Sequence, residues 1–560
     1  MLMHDQDISL TLGSPQFSDP RLARLAQAKG VLVAWREAVT NQGPQAASGV
    51  SGDFAVGLCG PGVRSFAAVD RFAIQTLCYR VVNGQLRTAA RADLLADADT
   101  AIDPQAIFDY LYFHVIPSPR TIYKGIYRLP PGHYVLFENG QLTVAPYWVP
   151  AFEEQRGSSF NALKDEFRQL LRSAVATQLD GTKPACFLSG GTDSSTVAGM
   201  AALASGNAVS TYSIGFDAPG YDEMEFARLA ARHFKTEHHE YYVTPDDLVR
   251  SIPAVAAHYD QPFGNSSALP AYYCAKMARE DGVSKLLAGD GGDELFGGNT
   301  RYAKQKVFGW YDGIPAALRT GLLEPMCRPS AMSQVPLVRK AVSYVNQAKV
   351  PMPDRLMTYN LLSRLGVQDV LTPELLAQVN QQDPVQQQRG VWTQARTGSL
   401  VNRMLAFDWR YTLADCDLPK VMGTTEMAGV GVGFPLLDDR LLAFSQKLPT
   451  AYKLRGLKLR WFFKEALRGF LPDEIITKKK QGFGLPFGVW ANTHPALKTL
   501  AADSLYSLAA RGVVRANFVQ PLLTERLPEH PGYYGEMVWI LMMLEQWLAA
   551  KAPQFNLVAK

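Results

Sequence analysis

The chain has 560 residues, 47% of them hydrophobic and 19% charged, with 56 Lys and Arg against 52 Asp and Glu. This balance excludes a disordered, collagenous or disulfide-scaffold protein, and a net charge of +4 spread over such a length excludes a general nucleic-acid-binding surface. At roughly 100–200 residues per domain, two to four domains or one large one are expected, with a core that needs no metal or disulfide staple.

The six cysteines, Cys59, Cys78, Cys186, Cys274, Cys327 and Cys416, form no CxxC pair and no zinc spacing. They read as small buried hydrophobes kept reduced. The N-terminus MLMHDQDISLTLGSPQ has no signal-peptide pattern, and no apolar run reaches the ~20 residues of a membrane span. The chain therefore reads as soluble and cytoplasmic.

In chain order, FAVGLCG, SFAAV and LCYRVVNG within residues 51–90 are short apolar runs separated by turn residues, which predicts antiparallel strands. A helix is expected over 104–116, then two or three strands in GIYRLPPGHYVLFENGQLTVAPYW. This half ends near Trp148. A polar linker covers 150–160, and NALKDEFRQLLRSAVATQL carries helical spacing. From residue 184 the pattern changes to alternating strands and helices: PACFLSGG, DSSTVAGMAALAS, VSTYSIGF, EFARLAARHF, HHEYYV and LLAGDGGDELFGG. That alternation predicts an α/β domain with a parallel sheet. Beyond about residue 300 the pattern is mostly helical, and 378–390 is expected to be a loop or an exposed helix end.

The most informative segment is Phe187-Leu188-Ser189-Gly190-Gly191-Thr192-Asp193-Ser194-Ser195. An apolar strand runs into a Gly-Gly turn that opens a helix. Glycines let backbone approach a ligand, and the free N–H groups and dipole of a helix start favour an anion. Ser189, Ser194 and Ser195 add hydroxyls. Asp193 would repel a phosphate unless it holds Mg²⁺ riding on it. The bland alternative, a capped strand–helix turn, explains a lone SGG but not the whole string. A second strand end carries Ala288-Gly289-Asp290-Gly291-Gly292-Asp293-Glu294-Leu295-Phe296-Gly297-Gly298. Three acids among glycines are costly without a cation between them. Asp193 and Asp293 on adjacent strand ends would form a pincer for Mg²⁺ at the edge where such sheets bind ligands. The alternative is a solvated acidic turn, against which the apolar flank and Phe296 argue.

The SGGxDS string resembles the pyrophosphate loop of the N-type ATP pyrophosphatases, and with the LAGDGGDELFGG string it is similar to the synthetase domain of the asparagine synthetases. GYDEMEFARLAARHF, HYDQPFGNSSALPAYYCAK, PLLDDRLLAFSQKLPTAYKLRGLKLRWFFKEALRGFLPDEII and KKKQGFGLPFGVW extend the resemblance to about Trp490. GDFAVGLCG with VDRFAIQTLCYRVVNGQL resembles the glutaminase domain of the same family. The fold implied is an Ntn-hydrolase-like β-sandwich over 1–150 followed by a PP-loop α/β domain with a helical C-terminal portion over 151–560. The resemblance implies ATP and Mg²⁺ as cofactors, with Leu188, Ile214 and Gly289 framing adenine and ribose, Ala288 also in the nucleotide site, and Lys480 of KKKQGFG stabilising charge on phosphate and tetrahedral intermediate. His238, His239 and His258 show no metal partner and read as structural.

Two departures bear on function. The resemblance implies a glutaminase nucleophile at an N-terminal Cys, whereas the chain begins Met1-Leu2-Met3-His4 and its first cysteine is Cys59. The N-terminal half is therefore expected to be structural, without its own glutamine hydrolysis. Where many relatives carry G-x-E-x-R-x-P-F-L-D, this chain has Gly431 and Gly433 in place of the acid and the base, leaving Glu426 as the nearest acid to serve. The expected activity is ATP-dependent amide formation through carboxylate adenylation, asparagine-synthase-like, with ammonia or another amine as nucleophile. The expected partners are a small-molecule or peptide carboxylate, an amine, a separate ammonia source and, in a homodimer, a second copy. Nucleic acid and membranes are not expected. The alternatives are an amide ligase of the lasso-peptide cyclase or β-lactam synthetase type, and a nucleotide-binding pseudoenzyme.

Overall fold

The computed structural model describes residues 9–60, 64–155, 157–179, 181, 183–326, 336–479 and 484–558. In the N-terminal half, β1 (Leu10–Gly13), β2 (Phe54–Leu58) and β3 (Ser65–Val69) are followed by a smaller sheet of β4 (Cys78–Val82), β5 (Gln85–Ala89) and β6 (Tyr127–Arg128). Then β7 (His133–Glu138) and β8 (Gln141–Pro146) return to the first sheet, whose order is β1-β2-β3-β7-β8, antiparallel throughout. The β4–β5 and β7–β8 hairpins turn at Asn83-Gly84 and Asn139-Gly140, where both residues take positive φ, as a tight two-residue hairpin requires.

All five residues of β2 and of β3 are buried, because the sheet is covered on both faces. Ala55, Ala67 and Val69 point to one side, where Leu77 and, from the second sheet, Tyr79 and Leu86 meet them. Phe54, Val56 and Phe66 point to the other, against Trp35 and Ala38 of the helix Val31–Gln42. The period-2 alternation of a strand sends successive side chains into two separate cores.

The second half contains β9 (Ala185–Phe187), β10 (Ser210–Phe216), β11 (Glu237–Val243), β12 (Lys285–Leu287) and β13 (Gly431–Gly433) in the order β11-β10-β9-β12-β13, all parallel. The chain steps one way from β9 to β11 and the other way from β12 to β13. The crevice at the C-terminal ends of β9 and β12 is therefore the topological switch point, where open α/β sheets bind ligands. Both motif loops leave the sheet there. The α/β class and the parallel sheet expected from the alternation are present. The polar stretch 378–390 is turn and bend up to 382 and then the start of the helix Asp383–Gln394, in which Pro384, Gln388 and Trp392 are buried. The expected helix over 104–116 ends at Phe113, capped by His114 in a left-handed conformation.

Position 150 separates the sheets but not the cores. The helix Pro104–Phe113 packs in one apolar cluster with Ile252, Trp539 and Trp547 of the second half. Tyr110 donates to the carbonyl of Ile540 at 2.9 Å, and the Gly264 N–H donates to the His114 carbonyl at 2.8 Å. Arg128 on β6 grips both oxygens of Asp260 at 3.0 and 2.8 Å, while the Ala92 N–H donates to the same carboxylate at 2.9 Å. Burial pushes the Asp260 carboxyl up, but Arg128 and the Ala92 N–H outweigh it and hold it below its ordinary value.

Removing one member of such a buried pair leaves the other charge uncompensated. Asp260→Ala is expected to cost about 3–5 kcal/mol, read as a lower urea midpoint, and Asp260→Asn less because it keeps an oxygen for Ala92. A second buried charge gives a pH signature. Lys453 is 0% exposed, donates to Asn402 at 2.9 Å and lies 4.8 Å above the Phe152 ring. Burial pulls its pKa down to about 7, against an upward pull from Glu154. Between that value and about 10.4 the unfolded chain binds the extra proton, so this residue's contribution to stability rises with pH over that window and its penalty is complete below it. The gain in melting temperature of Lys453→Met over wild type is expected to be largest at pH 6 and to shrink by pH 9. An unchanged gain would contradict this assignment.

Candidate active site

A cavity of about 1010 Å³ opens at the switch point. One wall is the turn after β9 and the first turn of the helix Thr192–Ser205. Gly191 caps that helix without a side-chain hydrogen bond, so its first N–H groups face the cavity without a side-chain cap. Gly190 takes φ +70°, and a Cβ there would press into the backbone of Phe226 and Ala227. Ser189 and Ser194 pair through their hydroxyls at 3.0 Å, and the Ser189 N–H donates to Ser194 Oγ at 3.1 Å. The hydroxyls are thereby fixed before any ligand arrives.

The opposite wall is the turn after β12, with Gly289, Asp290, Asp293 and Glu294 on the cavity surface. Asp193 and Asp293 meet across the gap through the guanidinium of Arg460. Its Nη1 donates to Asp193 at 2.8 Å, to Asp293 at 2.8 Å and to Thr192 Oγ1 at 2.9 Å, and its Nη2 donates to the other Asp193 oxygen. Arg460 is 5% exposed and stacks 4.2 Å from the Phe463 ring. Burial opposes its charge, but Asp193 and Asp293 hold it above its ordinary value. The glycines of this loop are explained by the same contact. A Cβ at Gly292 would overlap an Asp193 oxygen, and one at Gly298 would overlap an Asp293 oxygen and the Arg460 stem.

A second charged group lines the cavity. Lys420 lies 3.0 Å from Asp417 and 3.6 Å from Asp290. Burial works against its ammonium, but Asp417 and Asp290 raise it above its ordinary value. Burial pushes Asp290 up to about 6 despite Lys420. Asp417 ends a nine-residue π-helical stretch, Trp409–Asp417, a widened turn of the kind found at functional sites. Glu294 is 6% exposed, and burial with its neighbours Asp293 and Asp417 raises its carboxyl well above the usual range.

Of the residues singled out from the sequence, Leu188, Ser189, Gly191, Asp193, Ser194, Ile214, Gly289 and Asp293 line this one cavity. Three others do not. Gly190 shapes the turn, Ser195 is wholly buried beneath the helix, and Ala288 is buried with its N–H on the Gly433 carbonyl at 2.9 Å. Glu426 is corrected by its position. Its side chain is 62% exposed, faces His258 at 3.6 Å and Arg91 at 3.9 Å, and lies outside the cavity. Lys480 lies outside the described residues, but its neighbours Lys478 and Lys479 line the cavity. Lys478 is not a solvated charge, because it pairs with Glu223 at 3.0 Å and covers the Phe226 ring at 4.2 Å. A Cβ at Gly433 would overlap the Gln178 side chain, so nothing longer fits there without moving it. His238 meets Thr211 at 3.0 Å and His239 meets Asp281 at 3.0 Å.

Arg460, Lys420 and Asp417 were missed by sequence reasoning. The only signal was indirect: an acidic Gly-rich loop demands a cation, but nothing in RGLKLRWFF says which basic residue supplies it.

Gly298→Ala is expected to drive Asp293 and Arg460 apart and to cost about 1–3 kcal/mol of stability, read as a lower melting temperature; a variant that melts like wild type would contradict the tight contact.

Residues 31–148 match the glutamine amidotransferase domain family, and residues 166–549, more than half of the chain, match the asparagine synthase family. The chain is 25% identical over 486 residues to asparagine synthetase [glutamine-hydrolyzing] 1 of Bacillus subtilis, covering 86% of this chain and 74% of that protein. It is 27% identical over 501 residues to a putative asparagine synthetase [glutamine-hydrolyzing] of Mycobacterium tuberculosis, with coverage of 86% and 74%. A putative asparagine synthetase [glutamine-hydrolyzing] 2 of Methanocaldococcus jannaschii is 35% identical over 227 residues, 39% of this chain and 42% of that protein. With its two motif loops joined at one switch point and this match over both halves, the chain belongs to the asparagine synthase family, with an N-terminal glutamine amidotransferase domain and a C-terminal synthase domain.

Proposed function

We propose that the protein forms an amide in two steps, using ATP, and that the amine nucleophile is ammonia or another amine not generated by its own N-terminal domain. A substrate carboxylate oxygen attacks the α-phosphorus of ATP, the bond to the β-phosphate oxygen breaks, and pyrophosphate leaves. The amine then attacks the acyl carbon, loses a proton, and AMP departs. The observation that carries this reading is the convergence of the SGGTDSS turn and the acidic loop on one cavity, with Thr192, Asp193 and Asp293 aimed at a single point.

The uncapped N–H groups of the helix Thr192–Ser205 and the prefixed Ser189 and Ser194 hydroxyls suit the departing pyrophosphate. The backbone of Leu188, Ile214 and Gly289 borders the space for adenine and ribose. The oxygens of Asp193, Asp293 and Thr192 suit Mg²⁺, a hard cation that takes oxygen ligands. Bound there, Mg²⁺ would spread the negative charge of the phosphates. Lys480 is proposed to stabilise phosphate charge, a role supported by the family motif around it and by Lys479 on the cavity wall.

Four cysteines, Cys78, Cys186, Cys274 and Cys416, have thiols that burial pushes up, to about 12 for Cys78, Cys186 and Cys416, which suits packing rather than attack. Cys59 lies just beyond β2, its sulfur 3.7 Å from the Thr88 hydroxyl. These positions support a structural N-terminal domain. Gly431 and Gly433, which offer neither acid nor base, favour as a second reading a ligase that accepts a larger or tethered amine.

Incubation with MgATP, aspartate and radiolabelled pyrophosphate tests the first step. Exchange of label into ATP is expected, reduced by about 10²–10³-fold in Asp193→Asn. Exchange without ammonia-dependent asparagine formation would favour the second reading, and no exchange with any carboxylate would sink both.

A further inference from the structure

The position of Arg460 is unusual for an arginine that merely braces a loop. Its Nη1 sits at the meeting point of three oxygens from two strand ends, at 2.8, 2.8 and 2.9 Å. Thr192, Asp193 and Asp293 make up a hydroxyl and two carboxylates, the donor set of a hard divalent cation. Gly292 and Gly298 leave room for that convergence and for nothing else. Yet the arginine is held there against its own preferences. Its backbone is left-handed at φ +53°, which a residue with a Cβ rarely adopts, and its Nε–H is buried without an acceptor.

We propose that Arg460 is a resident counter-cation for the carboxylate pair, which a divalent metal ion must displace to bind. The guanidinium cancels the repulsion between Asp193 and Asp293 and keeps the two loops together. A metal ion arriving alone would have to break every bond that holds this buried cation in place. A metal arriving on a nucleotide brings phosphate oxygens that can receive the displaced guanidinium. Metal and nucleotide therefore bind as a unit, and the acidic loop is guarded against free divalent ions. The phosphate half of this statement rests on the adenylation reading; the metal half does not.

The test uses Mn²⁺ as the probe and the intact chain, with bound ion counted by electron paramagnetic resonance. Without nucleotide, wild type is expected to retain no Mn²⁺ at a stoichiometric site. Arg460→Gln is expected to bind one equivalent at least about tenfold more tightly than wild type. Adding Asp293→Asn to that variant should abolish the site. Equal Mn²⁺ affinity in wild type and Arg460→Gln, or no gained site in a variant that melts like wild type, overturns the proposal. Should Arg460→Gln not fold, wild type alone decides: Mn²⁺ held equally well with and without ATP overturns it, and retention only with ATP supports it. Failure of adenylation would leave the nucleotide-free comparison intact, so the two readings fail separately.

Discussion

The synthase half is organised around a repulsion. Two carboxylates, Asp193 and Asp293, are brought face to face by the ends of neighbouring parallel strands, and a close, half-buried pair of like charges cannot persist without a cation. Arg460 meets that requirement from a distant segment, the hairpin Leu454–Leu459 and the short helix Trp461–Ala466 that follows it. Because its backbone N–H also donates to the Gly297 carbonyl at 3.1 Å, one residue ties the Ser-Gly-Gly turn, the acidic loop and the C-terminal layer together. The glycine content of the acidic loop follows from the space these charged groups occupy.

The second half of the cavity is charged differently. Lys420 stands between Asp290 and Asp417, and Glu294 is driven toward its neutral form by burial and by the acids around it. The cavity thus has one end lined by backbone N–H groups and hydroxyls and another with a surplus of carboxylates. A reaction that joins an anionic acyl donor to an amine uses both kinds of surface.

The fold was legible where local pattern and tertiary need agree. LSGGTDSS and AGDGGDELFGG announce their turns by glycine and their strands by apolar runs, and the structure puts both at the switch point. Residues 378–390 read as polar because, of that stretch, Pro384 and Gln388 alone are buried, and the helix they begin shows its apolar anchor, Trp392, just beyond it. Ser195 and Ala288 lay inside the motifs but point into the core, since a helix or strand turns only some of its residues toward a ligand. Glu426 was chosen by distance along the chain, and the helix Leu418–Ala428 carries it to the outer surface instead. Arg460 and Lys420 were invisible because a long-range ion pair leaves no periodicity.

The helix Pro104–Phe113 has a wider consequence. Its aromatic side chains belong to the same apolar cluster as Trp539 and Trp547, so the N-terminal domain completes the interior of its neighbour. Sequence change in that domain is filtered by folding as well as by chemistry. A lineage could exchange one source of amine for another and still be obliged to inherit the segment that seals the synthase core.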